Sequence, residues 1–528
     1  MKKTLQELVA SRPLNLAILF GLVCIYFALP VPGLTEEHYF IPLIRELNHD
    51  FLKNDWTFST TFPDRWTFDA IFALPAALLP LPVLGWSGRI LCWMLILTAL
   101  YRLGSRLKVP TPLVTMAVLL WIVFGQSLFG GEMMLGMFEA KSLAYGLLLH
   151  GIIEIIDQRW NRAAILWGLT VTIHPAIGMV AMAAMAAAMF ALGLFKREMA
   201  RPAIFGLLVA APGLVQALLM MAASGPASNA DWQFVGATFM KLHFDPTEFT
   251  RGQVLVTIMA FAFILVWARR NRSNSALALV ATFLAFLFVP VIVGFLAFFI
   301  GEYRVMVITP FRLFPVFALL LFFMSVASAV ASPAGRRPGP WLSAFLVVTL
   351  LGFPSMFRAF RTHRSNLEHV WARRDDDMSR SFDWINDHVP KGAVGIMPPW
   401  RGDAAFRARR AEVVQWAMPR YDHLSEWRKR AEALMGGVPR WVIDRRVRDT
   451  GVVWKIMKDR YYSLRPLEVL SIARKYGASF FVTDRDYPFP LMFRQGKGRV
   501  YDVGSRIGNT AISQDRGLSL LQSIPDRG

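Results

Sequence analysis

The dominant pattern along the chain is a series of apolar runs, separated by short polar breaks, that ends near residue 358. A helix that crosses a bilayer needs about 20 mostly apolar residues. Runs at 14–32, 88–103, 111–129, 138–156, 162–173, 176–195, 202–223, 253–268, 276–300, 310–331 and 341–357 are predicted to be such helices. The first is expected to be retained, because no small-residue cleavage site follows it. The run 67–84 is also apolar, but Asp69, Pro75, Pro80 and Pro82 interrupt it. Proline leaves backbone groups that lipid cannot satisfy, so this run is expected to lie at the membrane surface or to re-enter. The short pair 162–173 and 176–195 reads as a hairpin that turns at His174-Pro175.

Beyond 358 the period changes. Helices are predicted over 379–388, 425–434 and 466–476, and strands near 393–397, 478–484 and 499–504, with Gly477 joining the last helix to its strand. Helices alternating with apolar strands imply an α/β layer. The predicted fold is therefore an α-helical polytopic membrane module of about eleven spans, residues 1–357, followed by a soluble α/β domain, 358–528.

Composition sharpens this. The chain is 55% hydrophobic and carries a net charge of +20. In a soluble protein that charge points to nucleic acid. Here basic residues hold cytoplasmic loops inside, so a lipid bilayer is the expected partner and nucleic acid is not. With the N-terminus cytoplasmic, the inner loops carry sixteen Lys and Arg, and the outer segments before 358 carry nine. The tail is then extracytoplasmic, on the periplasmic side of a bacterial inner membrane. The basic stretch 358–364 argues against this, but long domains translocate largely regardless of charge. Cys24 and Cys92 both fall in apolar runs, so the tail has neither a disulfide framework nor a cysteine metal site.

On this topology the candidate chemistry gathers at the outer face. The loop region 33–87 opens with Glu36, Glu37, His38 and Tyr39, just past the first span, and Asp55 follows. Adjacent, partly buried carboxylates raise the pKa of one of them, which suits a general base. A solvated acidic loop is the plainer reading. Glu139 and Lys141 sit at the outer end of 138–156, with Glu132 before them. A lysine there suits a phosphate grip, and equally suits snorkelling to the headgroups. His174 suits donation to a phosphate or sugar, or a structural cap. Glu302, Tyr303 and Arg304 occupy a later outer loop, and Arg312 falls inside the next apolar run. Charge within a membrane segment marks function by default, and a guanidinium fork matches phosphate. Arg304, Arg312, Lys141 and His174 are thus the expected donor-phosphate ligands. Asp231, Trp232, His243, Asp245 and Glu248 in the loop 224–251 suit sugar stacking or an aromatic belt. Asp375, Asp376 and Asp377 read as a helix N-terminus. No Walker, HExxH or GxSxG motif stands in a usable context. The short cytoplasmic loops hold no nucleotide-sugar site, which favours a lipid-linked donor. No cofactor is required, and a divalent cation is compatible with the pattern.

A first helix, a long outer loop with paired acids, roughly ten more spans and an outer tail together resemble the GT-C superfamily of polyprenyl-phosphate-sugar glycosyltransferases, which includes protein O-mannosyltransferases and aminoarabinose transferases. The stretch Thr35-Glu36-Glu37-His38-Tyr39-Phe40 is similar to the Asp-Glu-x-His-Phe element of the mannosyltransferases, except that its first acid is Glu and its His follows without a spacer. The resemblance covers 1–357. It implies that Glu36 or Glu37 orients or deprotonates an acceptor hydroxyl, and that a sugar passes from polyprenyl phosphate to a glycan, lipid or protein. It also implies sugar or acceptor contacts from His38, Tyr39, Asp55, Glu139, Glu302 and Tyr303. The alternative from another class is a transporter or flippase component for envelope glycolipid, which predicts inverted repeats.

Overall fold

The structure, a computed structural model, describes residues 11–33, 35–59, 65–123, 125–126, 132–223, 227–240, single positions between 243 and 266, 275–308, Phe311, Met324, 375–416, 418–436 and 450–505. The expected span 341–357, all of 310–331 but Phe311 and Met324, and half of 253–268 lie outside the described residues, as do Arg312 and Glu248. Two compact units form. The first comprises the described residues of Met1–Tyr39, Asp64–Ala223 and Met240–Trp371, and the second those of Phe40–Pro63, Ser224–Phe239 and Ala372–Gly528.

From the N-terminus the helices are α1 (Arg12–Tyr26), α2 (Glu37–Leu47), α3 (Trp66–Leu78), α4 (Leu81–Arg106), α5 (Thr111–Val123), α6 (Ala140–Ile156), α7 (Trp160–Ile173), α8 (Pro175–Ala191), α9 (Ala200–Ala223), α10 (Asn229–Ala237) and α11 (Ser275–Ile300). The apolar run 67–84 divides between α3 and the start of α4. Pro80 caps α4 and Pro82 stands in its first turn, where the missing N–H costs nothing. The prolines therefore begin a long helix seven residues before the predicted start at 88.

Among the described residues α4, the stretch Arg197–Ala222 and α11 are long and apolar enough to cross a membrane. α1, α3, α5 and α8 are shorter apolar helices. Ile204, Leu208, Leu218 and Met221 on α9 are 62%, 65%, 65% and 73% exposed. A soluble protein would bury such a stripe, whereas lipid would cover it.

Within the first unit α7 packs against α6 and α9, α4 against α6, and α8 against α11. Small residues permit the α7–α9 approach, as is usual where helices meet in lipid. A Cβ on Gly168 would lie 2.6 Å from the Gly206 carbonyl oxygen. Gly168→Val is expected to force these helices apart at a cost of about 1–3 kcal/mol. The check is the melting temperature of the detergent-solubilised protein, and an unchanged value would contradict the close contact.

Charged groups form two layers in this unit. At one end Arg102 pairs with Glu154 (2.5 Å), Arg106 with Asp157 (2.5 Å), and Arg159 with Glu154 (3.6 Å). At the other end stand Arg89 on α4 and Lys141 on α6. Arg89 and Arg106 are about 25 Å apart along α4, at roughly 1.5 Å per residue. That is close to the hydrocarbon thickness of a bilayer, roughly 30 Å.

The second unit centres on a five-stranded sheet. Its elements are α12 (Asp377–His388), β1 (Val394–Ile396), α13 (Asp403–Ala408), β2 (Ala411–Glu412), α14 (Leu424–Met435), α15 (Thr450–Tyr462), α16 (Pro466–Tyr476), β3 (Ala478–Thr483), β4 (Leu491–Gln495) and β5 (Gly498–Asp502). The strand order is β2-β1-β3-β5-β4. β1 pairs in parallel with β2 and β3, while β5 runs antiparallel to β3 and β4. Phe480 and Val482 pack with Phe382 and Ile385 of α12 on one face. Phe481, one residue out of phase, meets Tyr461 of α15 on the other. Gly477, at φ 69°, ends α16 in the left-handed conformation and turns the chain into β3.

Two distant segments complete this unit. Ile41, Phe51 and Leu52 pack with Ala405 of α13. Phe234 of α10 lies edge-on to Trp416 and Trp427, which stack on each other at 5.1 Å.

Candidate functional site

The polar end of the first unit is built on Gly33–Glu36, α4 and the segment 132–141. Two contacts bring these together. Gly88 on α4 has no room for a side chain because the Phe138 ring lies against it, and a Cβ on Gly33 would lie 2.6 Å from Met137 Sδ. The segment is further pinned from behind. Gln126 Nε2 donates to Leu135 O (2.6 Å), Gln126 Oε1 accepts from the N–H groups of Met134 (2.9 Å) and Leu135 (2.7 Å), and Trp93 Nε1 donates to Gly136 O (2.8 Å).

Glu36 is fully buried beside an equally buried Arg89. Arg89 Nε and Nη2 donate to Glu36 Oε1 and Oε2, each at 2.6 Å. Gly33 N and Phe138 N donate to the same two oxygens, each at 2.8 Å. Arg89 also donates to the carbonyls of Leu29 (2.5 Å) and Pro30 (3.0 Å). A bidentate charged pair with its remaining hydrogen bonds met is the arrangement in which a buried ion pair is tolerated. Glu36, one of the two expected bases, is therefore engaged by four donors and works as an anchor for the segments around it.

Beside it, Lys141 Nζ contacts Glu132 Oε1 at 2.6 Å and Glu139 Oε2 at 2.8 Å. Thr35 Oγ1 donates to Glu139 Oε1. Both acids are buried, and the lysine side chain is 17% exposed. Two carboxylates and one ammonium give this triad a formal charge of −1. Glu37 opens α2 and is buried. Arg65 Nη1 donates to His38 O (2.7 Å), and its guanidinium lies 4.2 Å from the centre of the Tyr39 ring.

Of the residues the sequence singles out, Glu36, Glu37, His38, Tyr39, Glu132, Glu139 and Lys141 fall on the segment after α1 and on the stretch 132–141. Sequence reading missed Arg89, the guanidinium that Glu36 meets. The available signal was an arginine inside the apolar run GWSGRILCWMLIL, which the same rule that flagged Arg312 would have marked.

Other expected residues have separate settings. His174 caps α8, its Nδ1 accepting from Ile177 N at 3.4 Å, the structural alternative its Pro neighbour suggested. Glu302 and Arg304 are exposed after α11. Tyr303 is buried, edge-on to Phe298 at 5.7 Å.

Asp55 belongs to the second unit and joins the stretch 40–59 to β2 there. It accepts from Thr57 N (2.8 Å), Glu412 N (3.0 Å) and Gln415 Nε2 (3.1 Å). Burial pushes its carboxyl up, against the lowering effect of those bonds. Asp231 closes a capping box with Ser228 and receives Ser425 Oγ at 2.6 Å. Burial raises its carboxyl, but the serine bonds and Arg428 outweigh that and hold it below the usual range. Trp232 stacks on Tyr421 at 5.8 Å. Asp376 caps α12, as the acid run implied.

Among the described residues no group of three or more His, Cys, Asp or Glu is placed to hold a metal ion. No curated protein matches the chain. Residues 376–434, from α12 to α14, match a family described as a domain of unknown function (DUF6798).

Proposed function

We propose that the chain is a membrane glycosyltransferase of the GT-C kind, moving a sugar from a polyprenyl-phosphate donor to an envelope acceptor at the non-cytoplasmic face. The observation that carries this reading is the meeting of Thr35, Glu36, Arg89, Glu132, Glu139 and Lys141 at one end of an apolar helical unit. Buried charge is costly to keep, and the cluster of buried acids at the end opposite the Arg102–Glu154 layer supports a site there. The sides agree with this. Residues 40–59, 228–239 and 375–505 share one compact unit, so all three lie on the same side of any bilayer, as the charge-based topology requires.

In this reading the acceptor oxygen attacks the anomeric carbon as the bond from that carbon to the phosphate oxygen breaks. The electron pair leaves with polyprenyl phosphate. Glu36 anchors the segments around it, and Glu37, at the head of α2, is the acid assigned to take the hydroxyl proton. Lys141 is held between the Glu132 and Glu139 carboxylates, whose oxygens suit hydroxyl hydrogens. Lys141 thereby moves from phosphate ligand to holder of the two acids, and the sugar hydroxyls bind Glu139. The phosphate falls to the exposed Arg304 and to Arg312. Positioning and fixed charge supply most of the rate.

The test is transfer in vitro from polyprenyl-phosphate sugars by the purified full-length protein. Glu139→Gln is expected to lower kcat/KM about ten- to hundredfold, the value of one charged hydrogen bond. Absence of transfer from any such donor by the wild type would remove the reading, as would an unchanged rate in this variant.

A further inference from the structure

The transfer reading makes no use of the carboxyl ends of the parallel strands in the second unit. β1 and β3 are parallel neighbours. From β1 the chain goes on to β2 on one side, and from β3 to β4 and β5 on the other. Open α/β sheets bind ligands at such a divergence, where the loops after adjacent strands part. The loops here are 397–402 and 484–490.

Trp400, in the first loop, is half-buried and lies edge-on to Tyr461 (5.2 Å) and Tyr462 (5.5 Å) at the end of α15. Tyr461 is structural: its hydroxyl donates to Val482 O at 2.7 Å, and it is fully buried. Tyr462 keeps part of its surface exposed. Asp484 is the first residue after β3. Its Oδ1 is shielded from solvent and has no hydrogen-bond partner among the described residues. Its nearest cation is Arg485 Nε, at 3.5 Å. Burial, and next the charge of Asp484, push the Tyr462 phenol up to about 12, so it stays a hydrogen-bond donor at neutral pH.

Two of the arginines nearby are already paired with other carboxylates. Arg401 pairs with Asp376 (2.8 Å) and Asp403 (2.7 Å), and Arg499 with Asp486 (2.7 Å). The groups left to a ligand are an indole ring with the Lys458 ammonium 5.7 Å from its centre, a phenol donor, and a carboxylate oxygen without a hydrogen bond among the described residues, beside the exposed Arg485. A ligand with an apolar C–H face and several hydroxyl donors satisfies all three. We propose that Trp400, Tyr462 and Asp484 form a saccharide-binding site in the second unit. It does not depend on the transfer reading.

The test uses the full-length protein in detergent on a printed array of neutral and acidic oligosaccharides, followed by titration of the best-bound one. Trp400→Ala is expected to weaken binding at least about tenfold, as loss of an aromatic anchor does. Asp484→Asn keeps the shape but removes the charge, and is expected to weaken it at least about fivefold. Should Trp400→Ala unfold, Asp484→Asn decides alone. Failure of the wild type to bind any oligosaccharide overturns the proposal, as does wild-type affinity in Asp484→Asn or displacement of the sugar by millimolar inorganic phosphate.

Discussion

Arg89→Ala is expected to destabilise the helical unit by about 3–5 kcal/mol, because it strands a buried carboxylate. Glu36 would keep only the N–H groups of Gly33 and Phe138, and the carbonyls of Leu29 and Pro30 would lose their donor. The cost comes from the abandoned charge more than from the lost attraction. The paired change Glu36→Leu with Arg89→Met is therefore expected to recover much of the loss, since apolar replacement of a buried pair is often neutral. Equilibrium unfolding in mixed detergent micelles, run as a double-mutant cycle, measures this. Additive losses, with the double variant as unstable as the sum of the singles, would mean that Arg89 and Glu36 are not coupled.

Glu37→Gln is expected to lower the transfer rate by about 10²–10⁴-fold, the usual contribution of a general base. Its stability is expected to change far less than that of the Arg89 variant. Glutamine keeps the length and shape of the side chain but takes up no proton. The effect should fall on kcat more than on KM, because the interaction is made as the hydroxyl loses its proton. Single-turnover transfer with saturating donor isolates that step. A fall confined to KM would make Glu37 a substrate ligand and not the base.

How far the sequence revealed this molecule depends on the range of the interaction. The step from α16 through Gly477 into β3 was legible, because helix period, positive-φ glycine and apolar strand lie within twenty residues of one another. β4 escaped notice. It is an edge strand with Leu491 and Met492 at its surface, so it lacks the alternation that betrays a strand. β2 is two residues long and has no period at all. The start of α4 was misplaced because Pro80 and Pro82 were read as breakers, although a first turn accepts them. In the site, acids near the ends of predicted helices were visible as exceptions to the apolar pattern. Their partners were less so. Arg89 lay hidden at the edge of a run read as a membrane span, and the pairing of Thr35 with Glu139 spans more than a hundred residues of chain.

The sheet-bearing unit draws on three stretches made at very different times during synthesis. The backbone N–H of Glu412 bonds to Asp55, and Trp416 and Trp427 rest on Phe234. A ribosome has released the first two stretches long before the third emerges, so they must wait, unpartnered, until the end of translation. A fragment starting at residue 358 would lack both, leaving two indoles without the Phe234 ring and the edge strand β2 without the carboxylate that accepts from Glu412 N. Such a fragment should aggregate when expressed by itself and dissolve when peptides covering 40–59 and 228–239 are supplied with it.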